Sequence, residues 1–390
     1  MLLLEVDGKR LFRAAGIATP EGVLLAEAAP PASLPGAGPW IAKAQVPVGG
    51  RGKAGGVLPV AGLQALPEAL GKLLGLEIKG CVTREVLVEE VAAGDEHYLS
   101  IMVDAGAGGI RLMHTAHGGM NVESHAPAGD GFDELLPLDR QAVASAISRL
   151  VQRQPATLRD GLQATASRLA DLFFERQLML AEINPLFALP DGRFVAGDAK
   201  VVIDMNALPA QPELRELIER GRERYPDAWR KLAEDFDFVE IDRQGQVGLV
   251  TTGAGLSMML IDEMVGRGLK PFNFCDMRTG QMRGSPARLL RIFDWLEAAP
   301  DVRVVLVNIF AGITDLSEFT QLLIDALHER AAFRRPIVAR LVGNGEAAAR
   351  RIVAAHPDLH IRFEPDLERA IALTAELLAN PLPSRANHAA

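Results

Sequence analysis

Cysteine is scarce in this chain of 390 residues: there are two, Cys81 and Cys275. Thiols so far apart in sequence make neither a disulfide framework nor a zinc pattern. Both lie in apolar stretches, so buried thiols in a reducing compartment are expected. Long apolar runs are missing too, and no uncharged segment is long enough to span a bilayer. The first residues, Met1 to Asp7, are briefly apolar but lack a basic segment and a long apolar one, so no signal peptide is expected and a cytoplasmic location is. An excess of basic charge is also absent. The net charge of −9 argues against nucleic acid or an anionic membrane as the main partner. A small anionic ligand stays compatible, because a local site can be basic on an acidic protein.

What is present fits a soluble globular chain of two or three domains, with 48% hydrophobic and 23% charged residues. The first half has a mixed α+β texture. A short amphipathic helix over 8–15 leads into Pro20, a strand is expected over 40–45, a helix over 63–74, and strands over 85–91, 98–104 and 110–115. A helix-rich stretch covers 139–176. Residues 180–202 read as a β-hairpin, because two apolar runs flank Pro190-Asp191-Gly192, a triplet suited to a type I turn closed by a left-handed glycine. Dense charge over 212–237 reads as a solvated helix bridging domains, which sets the domains at 1–237 and 238–380, with a disordered tail over 381–390.

The second half alternates apolar strands with amphipathic helices: 247–251 then 256–265, 271–275 then 287–296, 302–309 then 316–329, 336–341 then 347–355, and 359–363 then 367–378. Strands this apolar are covered on both faces, which predicts a parallel sheet wrapped by helices. Five such units match a flavodoxin-like, doubly wound domain.

Two features of the first half carry chemistry. The loop Gly49-Gly50-Arg51-Gly52-Lys53-Ala54-Gly55-Gly56 can bring bare backbone N–H groups close to phosphate oxygens, with Arg51, Lys53 and the preceding Lys43 supplying positive charge. It is not a Walker A loop, since the spacing and the Gly-Lys-Ser/Thr ending are absent. Taken alone, a flexible surface loop and a phosphate cradle are both open readings. The hairpin adds a second feature. A three-residue loop pairs Leu189 with Arg193, which sets Asn184 opposite Asp198 and Glu182 opposite Lys200. All four then share one face. Carboxylates beside a carboxamide oxygen are the hard ligands that Mg²⁺ takes near nucleotide phosphates. A solvated polar face is the plainer alternative, and a slip of one residue would scatter the cluster.

In the second half, ligands of a doubly wound sheet bind at the carboxyl ends of the strands where strand order reverses. The loops there, Thr251-Thr252-Gly253-Ala254-Gly255 and Ala311-Gly312-Ile313-Thr314, each open a helix. Two helix N-termini at one crevice suit a carboxylate or acyl phosphate.

The glycine loop, Ala181-Glu182-Ile183-Asn184-Pro185-Leu186 and Asn308-Ile309-Phe310-Ala311-Gly312-Ile313 closely resemble successive signatures of the succinyl-CoA synthetase β-subunit family, in order and spacing across nearly the whole chain. The resemblance implies an ATP-grasp module in the first half. It implies that Lys43, Gly50, Arg51 and Gly52 meet nucleotide phosphates, that Glu89 and Glu96 help bind the nucleotide, and that Asn184 and Asp198 hold Mg²⁺. Glu182 matches the carboxylate that meets the partner's phosphohistidine. Thr252, Gly312, Ile313 and Thr314 fall on the acid-substrate loops.

The implied reaction makes acyl-CoA, ADP and phosphate from ATP, an acid and CoA, with the CoA site and the histidine on a separate α-type subunit. His97, His114, His117 and His125 follow no phosphohistidine pattern. Departures from the family occur at Thr252, at His117, at Thr314-Asp315 and over 275–284. Arg278 and Arg283, on the loop after the second strand, are expected either to bind a distal anion on an acid other than plain succinate, or to contact the partner or solvent. The rival functions are a ligase for another acid, such as malate or sulfoacetate, and a non-catalytic nucleotide-binding scaffold.

Overall fold

The computed structural model describes residues 1–119, 131–282, 284–312 and 314–380. His125, Arg283, Ile313 and the tail expected over 381–390 lie outside the described residues. Two compact units divide between Glu216 and Leu217, ahead of the step expected at residue 237. The charged stretch explains the difference. It forms two short helices, and the second packs on the first strand of the second unit, so it goes with that unit.

In the first unit, helix α1 (Glu5–Ala14) precedes strands β1 (Gly22–Leu25), β2 (Trp40–Ala44) and β3 (Val57–Val60). Then come helix α2 (Leu66–Leu73), a small hairpin of β4 (Glu77–Ile78) and β5 (Cys81–Val82), and β6 (Val86–Glu90). Strands β1, β6, β2 and β3 form an antiparallel sheet in that order. Alternation decides its two faces. Ala42, Ala44, Val86 and Val88 turn into a core against Leu66, Leu70 and Leu73 of α2. Lys43 and Glu89 take the other face. Cys81 is only half-buried, because its hairpin lies at the edge of this core.

The second sheet of this unit is built from β7 (Asp95–Asp104), β8 (Gly109–Thr115) and β9 (Phe132–Leu136), then, after helices α3 (Arg140–Gln152) and α4 (Ala156–Glu175), β10 (Leu178–Ala188), β11 (Phe194–Ala196) and β12 (Lys200–Ile203). Its order is β11-β10-β7-β8-β9, with β12 also on β10. Helix α1 packs beside β12. Gly8 permits this, since a Cβ there would stand 3.1 Å from the Ala199 Cβ. Helix α5 (Pro212–Arg220) spans the division between the units.

The second unit begins with α6 (Pro226–Glu234) and β13 (Asp237–Glu240). Strand–helix units follow: β14 (Val247–Thr251) and α7 (Ala254–Gly266), β15 (Asn273–Asp276) and α8 (Ala287–Ala298), β16 (Val304–Ala311) and α9 (Leu316–Glu329). The last are β17 (Ile337–Gly343) and α10 (Glu346–Ala354), then β18 (Ile361–Phe363) and α11 (Leu367–Ala379). Strands β14, β16, β17 and β18 form a parallel ladder in that order.

Strand β15 joins the outer side of β14 by other means. The backbone bridges Val247 to Pro271, and the Asn273 side chain takes the place of ladder bonds, accepting from the Leu249 N–H at 2.8 Å and donating to its carbonyl at 2.9 Å. The five-strand order is therefore the expected doubly wound one, with β13 added antiparallel on β15. Residues of β16 alternate between two cores. Val305, Val307 and Ile309 meet α8 and α9, while Val304 and Leu306 meet α7 and α11. This puts the chain reversal between β14 and β16, where the loops after Thr251 and Ala311 emerge.

Candidate functional site

The hairpin holds the register read from its loop. The Leu189 N–H donates to the Arg193 carbonyl at 2.8 Å, and Gly192 adopts a φ of 82°. Leu186 then faces Ala196 and Glu182 faces Lys200, so the same register sets Asn184 opposite Asp198. Glu182 and Asn184 alternate with the buried Ala181 and Ile183, which fixes the outward face of β10. Asn184 is clasped from outside the hairpin. Its Oδ1 accepts from the Gly119 N–H at 2.7 Å, and its Nδ2 donates to the Gly119 carbonyl at 3.2 Å. Gly119, two residues after His117, is thus the support of Asn184.

The glycine loop is a compact turn. The N–H groups of Ala54, Gly55 and Gly56 fold back on the carbonyls of Gly50, Arg51 and Gly52. Among the described residues, the N–H groups of Arg51, Gly52 and Lys53 have no acceptor and are left to solvent. Gly50 has a φ of 85°, a conformation that few side chains tolerate. Donors turned outward in this way are a ready seat for an anion.

Arg51 ties this turn to the hairpin. Its Nη2 donates to both carboxylate oxygens of Asp198, at 3.0 and 2.9 Å. Its Nη1 donates to the Ala44 carbonyl and stands 2.7 Å from Glu5 Oε2, an ion pair not aligned as a hydrogen bond. Behind Arg51, Lys43 and Lys9 share three acceptors. Lys43 Nζ lies 2.8 Å from Glu5 Oε1, 3.0 Å from Glu89 Oε2 and 2.5 Å from the Gly197 carbonyl. Lys9 Nζ lies 2.9, 2.5 and 2.8 Å from the same three oxygens. Three cations are thus balanced by the carboxylates of Glu5, Glu89 and Asp198.

Burial would raise the Glu5 pKa, but Lys43, Lys9 and Arg51 outweigh it and hold that carboxyl well below its usual range. For Lys43, burial acts downward, yet Glu5, Glu89 and Asp198 raise its pKa above the usual lysine range. Lys9 goes the other way, since burial wins over the pull of Glu5 and Glu89. Glu89, expected to line the nucleotide, is fully enclosed in this network, because its strand turns it toward α1.

Glu182 is met by two groups. Tyr98, one of the two tyrosines in the chain, donates its hydroxyl to Glu182 Oε2 at 3.2 Å, and Lys200 Nζ stands 3.4 Å from that oxygen. Burial and the Glu182 charge raise the Tyr98 pKa, so its hydroxyl stays a donor. Glu96 opens on a cavity of about 560 Å³ that is also lined by His97, His117, Gly118, Gln154 and Leu158. His97 and His114 are buried, with Nδ1 and Nε2 at 3.2 Å. Among the described residues, no group of three or more His, Cys, Asp or Glu side chains is arranged to hold a metal ion.

In the second unit, three threonines meet at the carboxyl ends of the strands. The Thr279 N–H donates to Thr252 Oγ1 at 3.4 Å, and the Thr279 and Thr314 hydroxyls are 3.3 Å apart. Both helix N-termini already have carboxylates. Asp276 accepts from the Gly253 N–H at 2.8 Å just before α7, and Asp315 caps α9 through the Ser317 N–H at 2.7 Å. The first N–H groups of α7, near Gly255, keep no intrahelical acceptor. Gly312 lies in open space. Arg278 does not stand free at this crevice. Its guanidinium pairs with Asp235 and Asp237, each at 3.3 Å.

Sequence reasoning missed Glu5, Lys9, Tyr98, Gly119 and Asp276 as members of these sites. A usable signal existed for Glu5 and Lys9, because two opposite charges four apart fall on the side of α1 that also carries apolar residues.

A family model described as an ATP-grasp domain matches residues 2–188. The β subunit of ADP-forming succinate–CoA ligase from Ignicoccus hospitalis is 34% identical over 365 residues, covering 90% of this chain and 93% of that protein. The subunit of the same name from Chloroflexus aggregans is 36% identical, over 81% of this chain and 83% of its own length. Among solved structures, ATP citrate lyase from Methanothrix soehngenii, in complex with citrate and coenzyme A, shares the fold with a TM-score of 0.69. The identity is 17%, over 96% of this chain and 99% of that chain. No helix among the described residues is long and apolar enough to cross a membrane.

Proposed function

The chain belongs to the family of β subunits of ADP-forming succinate–CoA ligase, and from that premise we propose that it is the nucleotide-binding subunit of an acid–CoA ligase. The reaction is ATP + acid + CoA → acyl-CoA + ADP + phosphate. One observation carries the reading: Arg51, on a turn of outward N–H groups, grips Asp198 on the hairpin that also bears Asn184 and Glu182.

The turn from Gly50 to Lys53 seats the phosphates, and Lys43 and Arg51 balance their charge. Glu96, at its cavity, contacts the nucleoside end of the ligand. The donor chemistry fits Mg²⁺. Asn184 Oδ1 keeps a lone pair beyond the Gly119 bond, and Asp198 keeps lone pairs beyond those used by Arg51 and the Ala199 N–H. Asn184 and Asp198 would hold the ion, which would lower the charge of the triphosphate for in-line transfer.

The phosphoryl group passes to a histidine of an α-type partner, which also brings the CoA site. Glu182, oriented by Tyr98, accepts a hydrogen bond from that imidazole and fixes the ring for attack. The phosphoryl group then moves to the acid, and the thiol of CoA attacks the acyl phosphate, releasing phosphate. Thr252, Thr279 and Thr314, with the α7 N-terminus and the Gly312 backbone, hold the acid carboxylate.

Because Arg278 is paired with Asp235 and Asp237, it would have to leave two carboxylates to receive a distal anion. This favours an acid recognised by the threonine hydroxyls. The chain produced with its α-type partner, assayed for ADP release on succinate, malate, sulfoacetate and citrate, tests both the class and the acid. CoA-dependent ADP release on one or more acids supports the reading. ATP binding with no partner-dependent turnover on any acid returns the scaffold alternative.

A further inference from the structure

We infer that Lys9 is a positioning residue for nucleotide binding, a standing counter-ion to Glu5 and Glu89 that lets Lys43 leave them for a phosphate. This rests on the nucleotide site proposed above. Lys9 has no exposed surface, so it touches no ligand itself. Exposure rises outward through the network, with side-chain values of 0% for Lys9, 10% for Lys43, 12% for Arg51 and 29% for Asp198. Lys43 is the lysine that reaches the edge, yet its ammonium is bound to the same three oxygens as that of Lys9.

The duplication has a purpose once a phosphate arrives. If Lys43 were the sole lysine partner of two enclosed carboxylates, turning it outward would leave buried charge unpaired, which is strongly unfavourable. Lys9 removes that obstacle. Glu5 and Glu89 remain paired whether Lys43 points inward or outward, and the Gly197 carbonyl next to Asp198 keeps a donor. Helix α1 is held in place for this by the Val6 N–H, which donates to Gln45 Oε1 at 3.0 Å.

The test is Mg-ATP and adenosine binding to the full chain, by calorimetry and NMR titration, for wild type, Lys9→Met, Glu5→Gln and the double variant. Lys9→Met is expected to weaken Mg-ATP by about tenfold or more while adenosine, which has no phosphate, changes by less than about twofold. The double variant, which restores charge balance, is expected to return Mg-ATP affinity to within about threefold of wild type. A general structural defect would instead weaken both ligands and worsen when the second substitution is added, and that result overturns the inference. If Lys9→Met does not fold, Glu5→Gln decides, because it removes one hold on Lys43. Affinity equal to or tighter than wild type supports the inference, and a loss of about tenfold overturns it. Wild-type binding with Lys9→Met unchanged overturns this inference alone, whereas a wild-type chain that does not bind Mg-ATP overturns the nucleotide site with it.

Discussion

Arg51 and Asp198 lie 147 residues apart in sequence and meet through one guanidinium nitrogen, 3.0 and 2.9 Å from the two carboxylate oxygens. The contact fixes the glycine turn to the hairpin that carries Glu182 and Asn184. The guanidinium reaches Asp198 through Nη2 and Glu5 with the Ala44 carbonyl through Nη1, a spread over two nitrogens that the single nitrogen of a lysine does not offer. Arg51→Lys is therefore expected to behave much like Arg51→Met. Both should weaken Mg-ATP by about 10- to 100-fold in a calorimetric titration, in line with about 1.5–3 kcal/mol for hydrogen bonds to charged groups. Full affinity in the lysine variant would show that charge alone suffices.

The histidine pair on β7 and β8 makes a pH prediction. Burial, with His97 alongside, pushes His114 down to about 3, and burial also lowers His97 despite the nearby Asp95. Below the ordinary imidazole range the unfolded chain takes up a proton that the folded chain refuses. Stability is therefore full at neutral pH and falls as pH drops from about 6.5 toward 3. Between pH 7 and 5 His114 alone is expected to cost about 2 kcal/mol, and His97 adds to the loss in the same direction. Urea unfolding of wild type and His114→Leu at both values checks this, and the leucine variant should lose less stability on acidification. An equal loss in both chains would contradict it.

Arg278 supplies a discriminating substitution at the second unit. Its side chain is 35% exposed and bound to Asp235 and Asp237. Arg278→Ala should cost about 1 kcal/mol or less in stability, as exposed ion pairs do. The KM for the best acid should change by less than about threefold, measured on the assembled ligase. A rise of about a hundredfold in that KM would assign Arg278 to the acid after all.

The parallel sheet was legible because its strands are apolar throughout and its helices amphipathic. Helix α9 begins and ends where the pattern predicts, at Leu316 and Glu329. The hairpin was legible because Pro190-Asp191-Gly192 fixes a register, and a register fixes which side chains share a face. Hydrogen bonds and ion pairs between distant segments were not legible. Nothing in the local sequence joins Lys9 to Glu89, Gly119 to Asn184 or Tyr98 to Glu182, since each contact depends on how whole strands are ordered. The two acidic caps at α7 and α9 were missed for a related reason. Glycine near a helix start suggests a fully open anion site, but a neighbouring strand end can place a carboxylate on part of it, as Asp276 does at Gly253. The resemblance located Glu89 and Glu96 at the nucleotide, and it carried no information on the enclosure of Glu89 by α1.

Transfer of labelled phosphate tests the central claim most directly. The chain, its α-type partner and ATP labelled at the γ position are mixed with Mg²⁺ and quenched within one turnover. The expected product is a phosphorylated histidine on the partner, labile to acid and stable to base, that disappears when acid and CoA are added and is absent with Glu182→Gln. Label that stays in ATP, or is released as free phosphate without ever residing on the partner, would contradict the account.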